Sequence, residues 1–535
     1  MLLRTWAIVA AIAAGVFLGS TPLIDTDEGR NAEVAREMAV TNDYLVPRLN
    51  GLPYLDKPLV YFAAQAALME ILGPTELAAR LPAYLFTLAT AAVLFWFARR
   101  RMDEERALVA VIAYLSMPLT LAFARIVIFD SALAFFITVA IVALHEAVEG
   151  RDKRWTLLAW VAMALGVLTK GPVALVLPLF VAIPYALWRR AFVALWSIGG
   201  LIAFVALIAP WVWAVSRVVP EFLEYVVVTE TAQRLTTDDL QRTGPPWFFL
   251  PYVVAGALPW SLAALASWRG LRSRQPLNVF ALLWILVPLA FFSLSQSKQP
   301  QYILPLMPGV ALLVGHLGPS VRLRPAAFVF GLFGVILLVG LVIPGLSGRM
   351  KPEIESPTRT FALVLGVMTV ACGLVAGIVK RRDAALISLS LPLVLMPITV
   401  HPTLTAIAER RSTRGFVAEL RPHLAPGTEI IGVKAYTGSL GFYLRRTIVL
   451  ASDDASELTS NYLLRSYEKF SGPRGPLRPL SWFRANVEEC CARRVYIVRT
   501  QALELQAEIE SRGMKRIASD ARHIAYGPWY GRASP

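Results

Sequence analysis

Three carboxylates and an arginine stand close together shortly after the first apolar run of the chain. Asp25, Asp27 and Glu28 are followed by Arg30, in a segment that predicts a helix extending through Met38. Asp27 and Arg30 are three residues apart and would share a helical face. A carboxylate placed in this way can accept the proton of a hydroxyl group. Acidic residues also favour helix N-termini, so an ordinary capped helix is the alternative.

A second polar group follows in the same segment. Tyr54, Asp56 and Lys57 precede an apolar stretch, 58–72, which is too short to span a bilayer and suits a helix in the membrane interface. A carboxylate there can bind a metal ion or a sugar hydroxyl, and a lysine can hold a phosphate as a point charge. An ordinary surface ion pair is the alternative.

Further charges lie within or beside apolar runs. Asp130 lies in such a run, where a carboxylate costs about 2.5–3.5 kcal/mol on insertion scales and therefore predicts a polar cavity or a partner. Arg125 is a candidate partner. Lys170 ends another run, where simple snorkelling is the alternative. Lys298 and Tyr302 lie at the mouth of a third run, where an ammonium and a phenol would meet a lipid phosphate.

The composition is that of a membrane protein. Of the 535 residues, 56% are hydrophobic and 17% are charged, whereas soluble domains average about 25% charged residues. The apolar runs predict about thirteen spans, at approximately 4–20, 76–99, 104–122, 124–148, 154–169, 172–188, 192–216, 248–268, 276–294, 300–317, 325–344, 360–380 and 383–401. The predicted fold is therefore mainly α, a polytopic helical bundle in residues 1–402.

The charges, prolines and short alternating patterns of residues 403–535 predict a soluble extracytoplasmic α/β domain, in which no catalytic motif is recognisable. Its candidate strands are 429–434, 447–451, 494–499 and 514–519, and its candidate helices are 406–421, 456–469, 481–492 and 501–512.

Short basic loops alternate with loops of different content. Most of the net charge of +15 sits in clusters such as 99–101, 189–190 and 380–382, which membrane orientation explains better than nucleic-acid binding does. The positive-inside rule places these clusters and the N-terminus in the cytoplasm, and residues 403–535 outside. On that topology the polar groups described above all face the outer side of the membrane.

These motifs, taken together, resemble a known family. The pattern is Asp27-Glu28-x-Arg30-x-Ala32-Glu33, then Asn50-Gly51-x-x-Tyr54-x-Asp56-Lys57-Pro58, Asp130, Thr169-Lys170-Gly171-Pro172 and Ser297-Lys298-x-x-x-Tyr302-x-Leu304-Pro305. It is similar to that of bacterial GT-C glycosyltransferases, specifically the aminoarabinose transferases of lipid A and their protein-mannosyltransferase relatives. The resemblance covers the membrane domain in order. It implies a polyprenyl-phosphate sugar donor, a lipid, glycan or protein acceptor, and an active site at the outer face of the bacterial inner membrane.

The resemblance also implies catalytic roles for residues of the first loop and of one span. Asp27 matches the family's essential first-loop aspartate, a base or acceptor-orienting group, and Glu28 and Arg30 stand beside it. Asp130 matches a second carboxylate of the site, with Lys170 as a further site residue.

A second set of residues matches the family's donor-phosphate site. Lys57 and Arg242 match cations that hold the phosphate, and Tyr54 matches the aromatic residue beside them. Lys298 and Tyr302 match a further polar cluster. Displacement of a polyprenyl phosphate leaves an oxyanion, which fixed cations stabilise in a site of low dielectric constant.

The chain departs from the family at the candidate metal site. Asp56 stands where the aminoarabinose transferases carry a glutamate that pairs with a loop histidine, and no histidine occurs at 146–315. A divalent metal bound with Asp56 would therefore need other ligands, such as Asp238 and Asp239. Asn31 also replaces a tyrosine of the family.

A multi-pass transporter or flippase for a lipid-linked substrate is the alternative function, because charges within spans also mark transport paths. Transporters often show inverted repeats and polar residues near the midplane, and this sequence shows neither. A non-catalytic scaffold is the third interpretation, which the many outward-facing charges disfavour.

Overall fold

The computed structural model divides the chain into two compact units. The first comprises Met1–Leu18 and Arg80–Leu404, and the second comprises Gly19–Ala79 and Thr405–Pro535. The residues that it describes are 1–226, 244–343, 351–487 and 493–529. The segment that contains Asp27 and Asp56 belongs to the second unit.

Apolar helices make up the first unit. Those that lie wholly or mainly in it are Leu2–Gly15, Glu76–Arg101, Glu104–Ser116, Pro118–Phe123, Asp130–Gly150, Lys153–Lys170, Val173–Trp188, Ile198–Val218, Phe222–Glu224, Phe249–Gly256, Trp260–Ala266, Trp268–Leu271, Pro276–Leu294, Met307–Leu317, Leu323–Val342, Pro352–Ile378, Arg382–Val394 and Met396–Thr399. Short 3₁₀ segments include Phe192–Leu195 and Pro300–Leu306.

The helices of the described residues can be compared with the predicted spans by their length and composition. In the described part of the chain, eight helices are long and apolar enough to cross a membrane, or nine if the bent pair Phe249–Gly256 and Trp260–Ala266 is one span. The predicted count of thirteen is not confirmed. One reason is that Leu2–Gly15 and Val173–Trp188 have only 14 and 16 residues. Another is that the predicted span 104–122 breaks at Met117, which has an extended backbone.

Local sequence fixes where several of these helices begin and how two of them pack. The side chain of Asp152 caps the helix Lys153–Lys170 by accepting a hydrogen bond from the Arg154 backbone N–H. Leu323–Val342 packs closely against Pro352–Ile378 because Gly334 has no side chain at the contact. A Cβ atom there would lie 2.7 Å from the carbonyl oxygen of Gly366. The exposed faces of both helices are apolar, as lipid contact requires.

The helix Asp130–Gly150 forms the centre of the first unit. Its apolar window is 89% buried, more than that of any other candidate span in the described residues. Neighbouring helices Lys153–Lys170 and Val173–Trp188 pack against it. A residue on its first turn is therefore held in a fixed, protein-lined position rather than in lipid.

A six-stranded sheet forms the core of the second unit. A short hairpin precedes it, with strands β1 (Arg48–Leu49) and β2 (Leu52–Pro53). The sheet strands are β3 (Glu429–Val433), β4 (Val449–Ser452), β5 (Leu477–Pro479), β6 (Arg494–Arg499), β7 (Arg516–Ser519) and β8 (His523–Trp529). Their order is β5-β4-β3-β6-β8-β7. The first four strands are parallel to one another, and β8 runs antiparallel to both of its neighbours, β6 and β7. The predicted C-terminal α/β domain is confirmed.

Helices surround this sheet and complete the second unit. Those wholly or mainly in it are Asp27–Thr41, Val60–Leu72, His401–Arg411, Arg414–Leu420, Gly438–Leu444, Asn461–Arg465, Tyr467–Phe470, Leu480–Asn486 and Leu503–Glu510. Asp27–Thr41 packs directly on Gly438–Leu444, where a Cβ atom at Gly438 would lie 2.2 Å from the Arg30 backbone nitrogen. Only glycine permits this approach, which fixes the start of the helix that carries Asp27.

Candidate active site

Asp130 and Lys170 form a buried ion pair in the first unit. The Lys170 Nζ donates to Asp130 Oδ1 at 2.5 Å, and the side chains of lysine and aspartate are 14% and 1% exposed. Ser131 closes the loop before Asp130 by donating its hydroxyl to the Phe123 carbonyl at 2.6 Å. Gly171, with φ of 101°, ends the helix that carries Lys170, a conformation that favours glycine. Snorkelling therefore does not explain Lys170, which is held against a carboxylate.

Tyr302 lies beside this pair, and Lys298 is bonded within its own segment. The Lys170 Nζ is 5.1 Å from the centroid of the Tyr302 ring, a cation–π distance. The Tyr302 hydroxyl is 3.5 Å from the Ser297 hydroxyl. The Lys298 ammonium, 7% exposed, donates to the carbonyls of Ser293 and Ser295. Three chain segments thus bring a carboxylate, an ammonium group and a phenol together in the first unit.

Arg125, the sequence-based candidate partner of Asp130, has a different contact. Its Nη1 donates to the Ala14 carbonyl at 2.8 Å. The separation of five residues puts the two side chains out of helical phase, and an irregular loop separates them in the structure. The ion pair with Lys170 spans forty residues, which no local spacing rule predicts.

The three first-loop carboxylates have three different environments in the second unit. Asp25 is buried and accepts hydrogen bonds from the backbone and hydroxyl of Ser439 and from Arg522. Glu28 is also buried and accepts from the Ile24 backbone N–H at 3.0 Å. Asp27 alone of the three is exposed, with 63% of its side chain accessible. Asp25 and Glu28 therefore build the local structure, and Asp27 is the carboxylate that solvent or a substrate can reach.

Arg30 connects Asp27 to an aromatic side chain. Its Nη2 lies 2.5 Å from Asp27 Oδ1, and its Nη1 donates to the carbonyl and hydroxyl oxygens of Thr459. The guanidinium lies 5.9 Å from the centroid of the Tyr54 ring, which is itself 1% exposed. Asp27 makes no side-chain capping bond, and Thr26 is the N-cap residue. Asp27 lies in the first turn of its helix, where the helix dipole also favours a carboxylate, so its catalytic role stays a prediction.

Asp56 and Lys57 occupy the same unit. The two Asp56 oxygens accept hydrogen bonds from the backbone N–H groups of Asn461 and Tyr462, each at 3.0 Å, at the start of helix Asn461–Arg465. The Lys57 ammonium donates to the carbonyl of Asp56. The described residues contain no cluster of three or more His, Cys, Asp or Glu side chains that would hold a metal.

Three candidates lie outside the described residues, namely Arg242, Asp238 and Asp239. Their predicted roles, and that of Asp56 as a metal ligand, therefore stay predictions. Lys57 likewise stays a predicted phosphate ligand.

A buried ionic cluster that sequence reasoning missed supports the helix of Asp27. Arg36 donates two hydrogen bonds to Glu33, at 2.6 and 2.7 Å, and Glu37 accepts one from the Gly51 backbone N–H. Burial raises the pKa of Glu33 to about 8, against the effect of the two bonds from Arg36 and with a further contribution from Glu37. Glu33 and Asp27 belong to the same sequence motif, and nothing in that motif shows that Glu33 is buried while Asp27 is exposed.

The cluster predicts a pH effect on the helix Asp27–Thr41. The pKa of Glu33 in the folded chain lies above its ordinary value of 4.5, so its contribution to stability is complete below about pH 4.5 and is lost as the pH rises to about 8. We expect amide hydrogen exchange of residues 27–41, corrected for intrinsic rates, to speed up between pH 5 and 8. The substitution Glu33→Gln should flatten this dependence. An equal pH dependence in both proteins would contradict the assignment.

Comparisons with known proteins agree with this arrangement. A family model described as dolichyl-phosphate-mannose-protein mannosyltransferase matches residues 56–213. An undecaprenyl phosphate-α-4-amino-4-deoxy-L-arabinose arabinosyl transferase of Sodalis glossinidius is 31% identical over 460 residues, which are 81% of each chain. This chain belongs to that transferase family. A relative of the same name from Pseudomonas aeruginosa (strain UCBPP-PA14) is 29% identical over 511 residues, 90% of each chain.

A solved structure extends the likeness to the whole fold. The crystal structure of ArnT from Cupriavidus metallidurans bound to undecaprenyl phosphate matches with a TM-score of 0.86 and 25% identity, over 99% of each chain. The transferase is therefore a GT-C glycosyltransferase and a multi-pass protein of the inner membrane, and the resemblance seen in its motifs is confirmed. Its family is one of enzymes, not of transporters.

Proposed function

We propose that this transferase moves a sugar from an undecaprenyl-phosphate-linked donor to a lipid A-like acceptor at the outer face of the inner membrane. The relatives' names and the undecaprenyl phosphate bound to ArnT support the donor class. The aminoarabinose named for the relatives is the first donor to test. The replacements at Asp56 and Asn31 lie in the first loop and leave the choice of sugar to experiment.

The buried Asp130–Lys170 pair is the observation that carries this proposal. The Lys170 ammonium is held in position within an apolar bundle, 2.5 Å from a carboxylate and 5.1 Å from the centre of a phenol ring. Such a preorganised cation stabilises the negative charge that develops on a departing phosphate without reorganisation during the reaction. We assign Lys170 to the phosphate, and Asp130 and Tyr302 to the positioning of Lys170.

The second unit supplies the groups that act on the acceptor. Asp27 accepts the proton of an acceptor hydroxyl or orients an acceptor phosphate, and Arg30 holds its carboxylate through the 2.5 Å ion pair. Tyr54 supports the guanidinium of Arg30. The resemblance of the motifs assigns Lys57, Lys298 and Arg242 to the donor phosphate.

The experiment that tests the proposal is reconstitution of the purified protein with undecaprenyl-phosphate-linked aminoarabinose and lipid A. Mass spectrometry should show a lipid A species heavier by one sugar residue. Lipid and glycan extracts from a deletion strain and a complemented strain would identify another sugar or acceptor. A deletion strain whose lipids and glycans are unchanged would contradict transfer.

A prediction about donor binding concerns Lys57. We expect Lys57→Ala to raise the KM for the donor by about 10–100-fold, with a smaller effect on the KM for the acceptor, because charge-assisted contacts to phosphate are lost. Lys515→Ala is the control, since Lys515 is an exposed lysine of the same unit without an assigned role. Steady-state kinetics with each substrate varied in turn measures the effect, and an unchanged donor KM would refute the role.

A second prediction concerns orientation in the membrane. We propose that the arginines at 99–101 and the basic residues at 380–382 are cytoplasmic and that residues 403–535 are periplasmic. In a chain without native cysteines, a cysteine at Leu503, which is 71% exposed, should react with an impermeant maleimide in spheroplasts. A cysteine at Arg100 should react only after permeabilisation. The reverse pattern would invert the topology.

A further inference from the structure

A cleft of about 480 Å³ opens in the second unit, beside the turn that joins β1 and β2. Residues at the amino ends of the parallel strands β3 and β4, and just before β5, form its walls. None of the residues assigned a role in transfer lines it. A volume of this size falls in the range of about 300–1,000 Å³ that is usual for small-molecule sites.

The walls of the cleft are fixed by hydrogen bonds. The side-chain amide of Asn50 donates to the Ile448 carbonyl and accepts from the Ile448 backbone N–H, each at 2.9 Å. This pair of bonds ties the β1–β2 turn to the start of β4. Arg446 donates to the Thr428 carbonyl at 2.7 Å, which joins the start of β4 to that of β3. These bonds hold the walls of the cleft in place.

Positive charge is in excess around the cleft. Arg446, Arg478 and Glu429 line it, and Glu429 is divided between Arg478, at 3.3 Å, and Arg494, at 2.9 Å. In the described part of the chain Arg446 has no carboxylate partner, and burial lowers the pKa of its guanidinium. The Thr428 hydroxyl is buried and has no hydrogen-bond partner among the described residues. Such a site favours an anion.

Size and lining chemistry narrow the class of ligand. A lone phosphate would leave most of the cleft to water. The lining contains no aromatic side chain, so a nucleotide base would find no surface for stacking. It does contain a carboxylate, two threonines and aliphatic side chains, groups that can meet the hydroxyls and the carbon face of a sugar ring. The cleft therefore suits a saccharide that carries a phosphate.

We propose that this cleft binds a phosphorylated saccharide, with Arg446 on the phosphate and Glu429 accepting a hydrogen bond from the sugar. The ligand is either a soluble sugar phosphate or the phosphorylated headgroup of a glycolipid. The glycolipid headgroup is of the same class as the proposed acceptor, so that source rests on the proposed function. Binding of a soluble sugar phosphate is measured without turnover and is tested separately from transfer.

The test uses the full chain in nanodiscs and isothermal titration calorimetry. The soluble probes are glucosamine 1-phosphate, glucosamine and inorganic phosphate, and the lipid probe is a glycolipid with a phosphorylated glucosamine headgroup, incorporated in the nanodisc and detected by crosslinking. We expect saturable binding of glucosamine 1-phosphate or of the glycolipid. Glucosamine, which lacks the phosphate, and inorganic phosphate, which lacks the sugar, should bind more weakly. Binding of the first identifies a soluble source, and binding of the glycolipid alone identifies a membrane source.

Matched variants assign the binding to the cleft. Arg446→Ala should weaken it about tenfold or more. Arg446→Gln keeps a donor for the Thr428 carbonyl and tests the charge if the alanine variant unfolds. Arg474→Ala, at an exposed arginine near Gly475 that does not line the cleft, should bind like the native protein. Equal losses at Arg446 and Arg474, equally tight binding of inorganic phosphate, or no saturable binding of any probe would overturn the proposal.

Discussion

Replacing Asp27 by Asn should lower the rate of sugar transfer by about 10²–10⁴-fold while the protein stays folded. The amide has nearly the shape of the carboxylate but cannot take up a proton. Asp27 is 63% exposed, and the Arg30 guanidinium keeps its bonds to the carbonyl and hydroxyl oxygens of Thr459 when the carboxylate becomes an amide, so we expect the protein to stay folded. Loss of activity would therefore report on chemistry rather than on folding.

A matched variant controls for the lost ion pair. Asp453 is 56% exposed and lies 2.5 Å from the Lys434 ammonium in the same unit, so its carboxylate matches Asp27 in exposure and in the distance to its cation. Asp453→Asn should turn over like the native enzyme. Native turnover by folded Asp27→Asn would refute the role of Asp27 and leave Asp130 as the candidate base. A partial loss would indicate an acceptor that is itself a phosphate, which needs orientation but no base.

Replacing Lys170 by Met should abolish transfer and also destabilise the first unit by about 3–5 kcal/mol. Removal of the lysine leaves the Asp130 carboxylate buried without its 2.5 Å partner, a loss of this size for buried pairs. Activity and stability therefore fall together in the single variant. Combining Lys170→Met with Asp130→Asn removes both charges and should restore much of the thermal stability. Transfer should not return, because the cation assigned to the phosphate is still absent.

A second pair on the same central helix provides the control for this experiment. Glu146 lies sixteen residues after Asp130, about 24 Å along the helix, is 4% exposed and pairs with Arg101 through an Nε bond of 2.9 Å. Arg101→Met should destabilise the protein less, because Glu146 keeps Arg100 at 3.6 Å, while each folded molecule retains its turnover. Restored transfer in the double variant at Lys170 and Asp130, or equal loss of turnover in Arg101→Met, would show that the Lys170 pair is structural only. Unfolding in detergent and transfer per folded protein measure both quantities.

The sequence predicts the fold class and the motif residues, but not the partners of the charges. Long apolar runs and alternating basic loops predict spans and their orientation without any knowledge of how the helices pack. The pairing of Asp130 with Lys170 and of Asp25 with Ser439 joins distant segments, so it depends on how helices pack. The predicted count of thirteen spans is not confirmed, because apolar helices of 14 and 16 residues are shorter than a usual span and composition alone does not decide whether they cross the membrane.

The C-terminal sheet shows the same limit. The predicted strands at 429–434, 447–451, 494–499 and 514–519 correspond to β3, β4, β6 and β7. Strand β5 has three residues and ends in Pro479, so it carries no alternating pattern. Strand β8 contains Gly527 and Pro528, which suggest a turn, but both lie where its pairing with β6 shifts register. A bulge tolerates these residues, and only tertiary pairing reveals it.

The protein is proposed to transfer a sugar rather than to transport a lipid-linked sugar. Whether the donor's sugar–phosphate bond is broken tests this most directly. Proteoliposomes that contain the enzyme, an undecaprenyl-phosphate-linked sugar with a ¹³C-labelled sugar, and lipid A would be sampled over time by mass spectrometry. We predict that labelled sugar appears on lipid A in equimolar amount with released undecaprenyl phosphate, and that Asp27→Asn forms neither. Intact donor that moves between leaflets, with no released undecaprenyl phosphate and no labelled acceptor, would contradict this account and favour a flippase.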